Sequence, residues 1–236
     1  MAGNQSVLDG ELLEQHETSG GATLAIFDLD RTLVAGSSLV PLARELARAG
    51  LLDRRSFVSA ALRNQRYRRR GASDREVDGV QRSVAEIARG REYAPIAETA
   101  VSVGAMLVKE MRPASRMLIE RHLVAGDFCV VLSASPQELV DAVVHALGAH
   151  RGVGTRAEVV DGRLTGKLDG PFCYGAEKLA RLRTELGDVS LETAWAYADS
   201  MSDVPLLTAA GHPIAVNPDR RLRRVATTRH WPIVLI

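Results

Sequence analysis

The stretch that decides the fold is ATLAIFDLDRT, residues 22–32. Its first six residues form a short apolar run that is typical of a buried strand, and Asp28 and Asp30 follow at the carboxyl end of that run. Because alternate residues of an extended chain point to the same side, the two carboxylates should converge just beyond the strand. Open α/β sheets bind their ligands at this edge. Two neighbouring carboxylates repel each other, which favours a bound cation, a shared proton, or both.

Outward from this stretch, the patterns of strands and helices alternate along most of the chain. Alternation of this kind predicts an α/β fold with a Rossmann-like parallel sheet and helices on both faces. The Asp161-Gly162 turn predicts a hairpin between the strand at 128–133 and the strand at 193–198. The predicted strands are 128–133, 193–198, 213–217 and 231–236, the hairpin is 156–168, and the helices are 136–147, 175–186, 204–211 and 219–228.

One all-helical block interrupts this alternation directly after the first strand. Helical periodicity and glycine punctuation run from Ser38 to Met111, with a capping box at Ser73–Glu76. The block therefore predicts an inserted helical cap. The predicted organisation is a flexible arm at 1–20, a core formed by 21–37 and 113–236, and a cap at 38–112.

The composition describes an ordinary globular chain. The 236 residues are 46% hydrophobic and 25% charged, and the formal net charge of +1 argues against a dedicated nucleic-acid binder. Cys129 and Cys173 are too few for a disulfide framework or a zinc site. No run is apolar enough for a transmembrane segment, and the first twenty residues lack the features of a signal peptide. We therefore expect a cytoplasmic protein, either a monomer or a homodimer.

Three later polar features fall at or beside strand ends. Ser133-Ala134-Ser135 ends one strand before a predicted helix start, which is a possible anion site or an ordinary helix cap. Lys178, one of only three lysines, lies in a flanking helix, where a lone lysine is usually a surface residue. Asp199 and Asp203 follow another strand, and Asp203 is also suited to capping a helix. Each feature is weak alone, but their order and placement together are specific.

Together these residues resemble the four motifs of the haloacid dehalogenase (HAD) superfamily, which are DxDxT, Ser or Thr, Lys, and a final acidic pair. The resemblance spans residues 22 to about 217, and the helical block after DxDxT is similar to the cap of the phosphoserine phosphatase-like branch (subfamily IB). It implies a phosphatase acting on a small phosphorylated substrate, with Mg²⁺ as cofactor.

The resemblance also implies a role for each motif residue. Asp28 would be the nucleophile, Asp30 the general acid and base, and Thr32 a support for the turn. Ser133, the Ala134 N–H and Lys178 would bind the phosphoryl oxygens, and Lys178 would also offset their charge. The carboxylates of Asp28 and Asp199 and the backbone carbonyl of Asp30 would bind Mg²⁺. Asp203 would orient Lys178 or a metal-bound water, or serve as an additional ligand.

Position 37 departs from the phosphoserine-specific pattern. Members that act on phosphoserine carry a Glu nine residues after the nucleophile, whereas this chain has Ser37. The resemblance makes phosphoserine phosphatase, and with it serine biosynthesis, the best single interpretation. Another small or lipid-derived phosphate monoester is the alternative. A catalytically idle phosphate-binding protein is the rival from a different class.

Arginine clusters and histidines carry no assigned chemistry. The arginines at 63–70 form either a solvated helix face or a contact for a substrate anion, and those at 220–224 favour a surface helix. His122, His145 and His212 have no acid at a suggestive spacing, so none is assigned to catalysis. Met106, Met111 and Met117 are predicted to be core residues.

Overall fold

The computed structural model describes residues 23–52, 88–187 and 189–236. The predicted arm at 1–20, the Ser73–Glu76 capping box and the arginines at 63–70 lie outside these ranges. The described strands are β1 (Leu24–Phe27), β2 (Phe128–Pro136), β3 (Arg151–Thr155), β4 (Ala157–Val160), β5 (Arg163–Leu168), β6 (Trp195–Ala198), β7 (His212–Val216) and β8 (Ile233–Val234). The described α-helices are α1 (Leu39–Arg48), α2 (Tyr93–Lys109), α3 (Pro113–Ala125), α4 (Gln137–Leu147), α5 (Ala176–Leu186), α6 (Val204–Ala209) and α7 (Arg220–Thr228), and Met201–Asp203 forms a 3₁₀ turn.

Six strands form one sheet in the order β3-β2-β1-β6-β7-β8, and every neighbouring pair is parallel. Strands β4 and β5 form a separate antiparallel hairpin around Asp161 and Gly162. The predicted α/β class with a Rossmann-like parallel sheet is confirmed. Because β1 lies between β2 and β6, the carboxyl ends of these three strands are neighbours at one edge.

The central strand β1 is buried on both faces, which explains why it is apolar throughout. Its alternating side chains enter two hydrophobic clusters, with Ala25 and Phe27 in one and Leu24 and Ile26 in the other. The first cluster includes side chains of α1 to α4, and the second includes side chains of α5 to α7. A fully buried side chain such as Phe27 contributes about 1.5–3 kcal/mol to stability. The strand is therefore held firmly beneath the two acids that follow it.

Helices α1 and α2 are the described parts of the predicted cap, and both bury side chains in the first hydrophobic cluster. Helix α2 packs closely on α4 at Gly104, where an added Cβ would lie 2.6 Å from the Leu139 carbonyl oxygen and 2.7 Å from the Ala142 Cβ. Only glycine allows the helix backbones to approach this closely. The division into a core and a cap at 38–112 stays a prediction.

Several details differ from the sequence predictions. Strand β3 was not predicted, and α3 was predicted only as a helical segment at Met117, without bounds. On α3, Met117 is 63% exposed, so its prediction as a core residue is wrong, whereas Met111 is buried as predicted. Helix α7 has its arginines on the exposed face, as expected of a surface helix. Asp219 caps the start of this helix, because its side chain accepts hydrogen bonds from the backbone N–H groups of Arg221 and Leu222. In the described ranges, no helix is both long and apolar enough to cross a membrane.

Thr23, His122, Asp127 and Tyr197 are joined by hydrogen bonds, and we call this group the His122 cluster. Thr23 and Asp127 directly precede β1 and β2, and Tyr197 lies in β6. The His122 ring bonds to Asp127 Oδ2 and to the Tyr197 hydroxyl, each at 2.7 Å. The Thr23 N–H and hydroxyl donate to Asp127 Oδ1 at 2.8 and 3.0 Å. The sequence analysis found no acid partner for His122, and the structure corrects this: Asp127 approaches it because α3 ends between them at Gly126, in the left-handed conformation.

Candidate active site

Three neighbouring strands bring the predicted motif residues to one sheet edge. Asp28 follows β1, Asp199 follows β6, and Ser133 lies near the end of β2. The Asp28 N–H donates to the Tyr197 carbonyl at 2.9 Å, which extends the pairing of β1 and β6 up to the first acid. All three side chains are buried, with 2% exposure or less. Parallel pairing therefore brings Asp28 and Asp199 together, although they are more than a hundred and seventy positions apart in the sequence.

Lys178 from α5 reaches two of the acids. Its Nζ lies 2.6 Å from Asp28 Oδ1 and 2.6 Å from Asp203 Oδ1, and all three side chains are buried. Burial alone lowers the pKa of the Lys178 ammonium, but the carboxylates of Asp203 and Asp28 outweigh that effect and raise the pKa. Lys178 is therefore a permanent positive charge beside the first acid, and Asp203 fixes its position.

Both carboxylate oxygens of Asp30 are held by the start of the helical block. Oδ1 accepts from the Ser38 N–H at 2.9 Å, and Oδ2 accepts from the Ser37 hydroxyl at 3.2 Å. The Ser38 hydroxyl in turn pairs with the Ser135 hydroxyl at 2.6 Å. These contacts fix the Asp30 carboxyl group and connect the loop after β1 to the end of β2.

Arg31 also faces the acids, which its position in the motif did not indicate. Its Nη2 lies 2.5 Å from Asp199 Oδ2. The backbone at Arg31 is left-handed, with φ 63°, and its carbonyl accepts from Asn217 Nδ2 at 3.3 Å. Thr32 lies next in the same turn, where its hydroxyl is 3.4 Å from Asp28 Oδ2, as expected of a residue that supports the turn.

The segment around Ser133 differs from the predicted helix start. Strand β2 continues to Pro136 with a register shift against β3, and α4 begins only at Gln137. Ser133 is therefore in an irregular strand end rather than at a helix N-terminus, because the bulge lengthens the strand. Its hydroxyl accepts from the Ser135 N–H at 3.1 Å, which leaves the hydroxyl hydrogen to donate outward. Ala134 is partly exposed, and its carbonyl accepts from the Thr155 hydroxyl at 2.9 Å.

The chemistry of these groups suits a divalent cation. Asp28, Asp199 and Asp203 each offer a carboxylate oxygen, and these oxygens all lie within 4.8 Å of one another. We call the group Asp28, Asp30, Lys178, Asp199 and Asp203 the strand-end cluster. Among the described residues, Lys178 contacts Asp28 and Asp203, and Arg31 contacts Asp199. Mg²⁺ prefers oxygen ligands of the kind that these buried carboxylates offer.

Comparison with known proteins agrees with this geometry. The profile of the family described as haloacid dehalogenase-like hydrolase matches residues 25–208. The chain belongs to this family. Among its relatives is a probable phosphatase of Mycobacterium tuberculosis, 33% identical over 92% of this chain and 78% of the relative. A phosphoserine phosphatase of the same organism is 32% identical over 89% and 69%. A histidinol-phosphatase of Neisseria meningitidis is 30% identical over 89% and 97%.

A solved structure also shares the fold. A protein of unknown function from Bordetella pertussis superposes with a TM-score of 0.77 at 26% identity, over 91% of this chain and 99% of that one. The predicted resemblance to the HAD superfamily is confirmed, and the chain is homologous to phosphoserine phosphatases. It is an HAD-type phosphatase, as the sequence analysis predicted.

The sequence analysis missed two sets of residues at this site. Ser37 was considered only because it replaces a glutamate. Ser38 was considered only as the start of the helical block, and Ser135 only as part of an anion site or helix cap. Their contacts depend on how the loop after β1 folds back on Asp30, which no local pattern signals. Arg31 stands at the variable position of DxDxT, and its contact with Asp199 was missed because arginine carries no preference for a left-handed backbone that would have marked the turn.

Proposed function

We propose that this phosphatase hydrolyses small phosphate monoesters through a covalent aspartyl-phosphate on Asp28. The observation that carries the proposal is the convergence of Asp28, Lys178, Asp199 and Asp203 at the end of the central strand. An attacking carboxylate must approach an anionic phosphate, and it does so only where positive charge offsets the repulsion. Lys178 supplies such a charge in contact with Asp28 itself.

The first chemical step is an attack by an Asp28 carboxylate oxygen on phosphorus. A phosphorus–oxygen bond to Asp28 forms as the bond to the ester oxygen breaks, and the leaving oxygen takes a proton from Asp30. In the second step water attacks the phosphorus, Asp30 accepts the proton from that water, and the bond to Asp28 breaks. Inorganic phosphate leaves, and both carboxyl groups return to their starting states.

Asp30 is held in a way that suits the role of acid and base. The Ser37 hydroxyl and the Ser38 N–H fix the carboxyl plane with one contact to each oxygen. Because Ser38 is the last residue before α1, the orientation of Asp30 depends on the start of the helical block. Closure of that block over the site would then complete the position of the acid at the same time as it excludes water.

The phosphoryl oxygens would be bound by Ser133, the Ala134 N–H and Lys178. The Ser133 hydroxyl can donate a hydrogen bond, and Ala134, the next residue of the same strand, is partly exposed. Lys178 would offset the negative charge that spreads over these oxygens in the transition state. Asp203 would act through Lys178, which it holds at 2.6 Å.

We propose Mg²⁺ as the cofactor, held by Asp28, Asp199 and the carbonyl of Asp30, with Asp203 as a possible further ligand. The three buried carboxylates of Asp28, Asp199 and Asp203, whose oxygens lie within 4.8 Å of one another, support this assignment. A cation bound there lowers the repulsion between the nucleophile and the phosphate. The protein's own part is to fix the carboxylates at the strand ends before substrate arrives.

Phosphoserine is our best single proposal for the substrate. The names of two relatives support it indirectly, because phosphoserine and histidinol phosphate are both phosphate esters of primary alcohols with an amine on the adjacent carbon. Ser37 offers a hydroxyl where a carboxylate would receive that amine, and its hydroxyl already donates to Asp30. Another small or lipid-derived phosphate monoester is therefore the alternative. Serine biosynthesis, a cytoplasmic location and a monomer or homodimer stay predictions.

Phosphate release from a substrate panel tests the proposal. The panel contains phosphoserine, histidinol phosphate, glycerol 3-phosphate, phosphatidic acid and 3-(phosphonooxy)propanoate, which is phosphoserine without its amine. We expect Mg²⁺-dependent release from the water-soluble monoesters and an acid-stable phosphate label on the protein that hydroxylamine removes. Turnover without any hydroxylamine-sensitive label under rapid acid quench would contradict the covalent route, and release from phosphatidic acid alone would shift the substrate class to lipids.

A further inference from the structure

Arg31 forms an ion pair inside the site proposed for the cation. Its guanidinium Nη2 lies 2.5 Å from Asp199 Oδ2. The Asp199 side chain is fully buried, whereas the Arg31 side chain is 32% exposed. The arginine therefore reaches from a partly exposed position to a carboxylate that is shielded from solvent.

The backbone holds Arg31 in this direction. Its φ of 63° is uncommon for a residue other than glycine. Two hydrogen bonds fix the peptide groups on either side: the Arg31 N–H donates to the Gly36 carbonyl at 3.2 Å, and Asn217 Nδ2 donates to the Arg31 carbonyl at 3.3 Å. The turn therefore fixes the backbone at Arg31 in the orientation from which its side chain reaches Asp199.

The distribution of charges assigns Arg31 a purpose. Lys178 is shared by Asp28 and Asp203. The Arg31 guanidinium contacts Asp199, the third member of the group whose carboxylate oxygens all lie within 4.8 Å of one another. A divalent cation bound to Asp199 would lie within a few ångströms of this guanidinium, and two positive groups at that distance repel. The cation and the Arg31 contact cannot both be held at full strength.

We propose that Arg31 is an internal counter-ion that competes with the divalent cation for Asp199 and sets the concentration at which the site fills. This inference rests on the cation site of the proposed function. With no cation bound, Arg31 offsets the buried charge of Asp199 and keeps the carboxylates from driving the strand ends apart. When the cation binds, the partly exposed side chain turns to solvent, and the cost of breaking its ion pair appears as weaker metal binding.

Direct metal binding to the chelated, substrate-free protein tests this. Isothermal titration with Mg²⁺ would compare the unchanged protein with Arg31→Gln, which removes the charge but keeps most of the length, and with Arg31→Gly, which suits the left-handed backbone. Arg224→Gln is the matched control, because it removes the same charge from an exposed site on α7. We expect both Arg31 variants to bind Mg²⁺ about tenfold more tightly or better, which corresponds to about 1.4 kcal/mol, and the control to bind unchanged.

A second readout keeps the test independent of folding defects. Without metal, the Arg31→Gln protein should unfold at a lower temperature than the unchanged protein, and Mg²⁺ should raise its unfolding temperature by more. Equal or weaker Mg²⁺ binding by both folded Arg31 variants would overturn the competition while leaving the proposed function intact. Absence of Mg²⁺ binding by every protein, with phosphatase activity retained after chelation, would instead overturn the cation site and this inference together.

Discussion

The strand-end cluster and the His122 cluster are both buried and polar, yet they differ in charge balance. In the part of the chain that the structure describes, the strand-end cluster gathers four carboxylates, three of which contact Lys178 or Arg31. The His122 cluster has a single carboxylate, Asp127, which is bonded by His122 and by two groups of Thr23. Strand β6 contributes to both, with Tyr197 in one and Asp199 just after it in the other. Burial therefore does not separate a reactive site from a structural one.

The difference teaches that a concentration of like charges, rather than burial, distinguishes the proposed site of chemistry from a structural cluster. A buried carboxylate whose bonds are satisfied within the protein stabilises the fold and has little left to offer a substrate. A group of carboxylates that repel one another costs stability unless a ligand offsets the charge. Proteins keep such groups where function needs them, and the two clusters should therefore respond in opposite ways to the loss of an acid.

The largest expected effect comes from Asp28→Asn. We expect turnover to fall by about a thousandfold or more, because an amide cannot supply the attacking oxygen. The free energy of unfolding should stay equal or rise, since the change removes one of the repelling charges. Steady-state phosphate release and denaturant unfolding measure the two quantities.

The matched control for that change is Asp127→Asn in the other cluster. It should lower the free energy of unfolding and leave turnover per folded molecule unchanged at a temperature where the variant is folded. The comparison of the two clusters breaks down if Asp28→Asn keeps near-normal turnover, or if Asp127→Asn removes activity without loss of stability.

The next effect is the response to metal removal. Chelation with EDTA should abolish phosphate release, and Mg²⁺ should restore it. Asp199→Ala should raise the Mg²⁺ concentration for half-maximal activity by about tenfold or more, since it removes a proposed ligand. Titration of activity with Mg²⁺ measures this. Full activity after exhaustive chelation would show that the carboxylates of the strand-end cluster do not need a bound cation for catalysis.

The sheet was predictable because its strands are buried on both faces and therefore read as apolar runs. Strand β3 was not, because its sequence RGVGT carries two glycines, which are depleted in strands. The close packing of α4 explains them: a Cβ at Gly154 would lie 2.8 Å from the Gln137 Cα. The buried face of helix α3 was predicted wrongly at Met117, because its buried and exposed residues do not form a clear apolar stripe.

The acids and the lysine of the site were predictable for a different reason. Strand ends in a parallel sheet meet at one edge, so Asp28 and Asp199 could be placed together from their strands, whereas Lys178 joined them only through the resemblance to the HAD motifs. The contacts of Ser37, Ser38 and Arg31 could not, because they depend on the path of one turn. Asn217 lies 186 positions from the carbonyl that it helps to fix, and no local pattern reports a contact of that range.

A smaller effect is expected from Ser37→Glu, which would add a carboxylate beside Asp30. A charge-assisted contact with a substrate ammonium contributes roughly 1.5–3 kcal/mol, so kcat/KM for phosphoserine should rise about tenfold relative to 3-(phosphonooxy)propanoate. Ser37→Gln is the control, because it has similar size without the charge. If the unchanged protein already prefers phosphoserine a hundredfold over that analogue, another acid binds the amine, and Glu110 and Glu76 are the first to test.

The smallest expected effect is a pH dependence of stability carried by the His122 cluster. Burial alone raises the pKa of Asp127, but the hydrogen bonds from Thr23 and His122 outweigh it and lower that pKa below its ordinary value. The unfolded chain therefore binds a proton more readily than the folded one, and the contribution of Asp127 to stability is present above about pH 4 and is lost as the pH falls through the folded-state pKa.

Denaturant unfolding between pH 3 and pH 7 measures this contribution. The unchanged protein should exceed Asp127→Asn in free energy of unfolding by about 1–3 kcal/mol near pH 6, which is the range for a buried hydrogen-bonded charge, and the gap should narrow towards pH 3. Because Asp127 is the only difference between the two proteins, titrating groups that do not contact Asp127 cancel to first order. A gap that stays constant or widens on acidification would mean that Asp127 is not held as a carboxylate by Thr23 and His122. The contrast between a satisfied structural acid and the repelling acids of the strand-end cluster would then lose its physical basis.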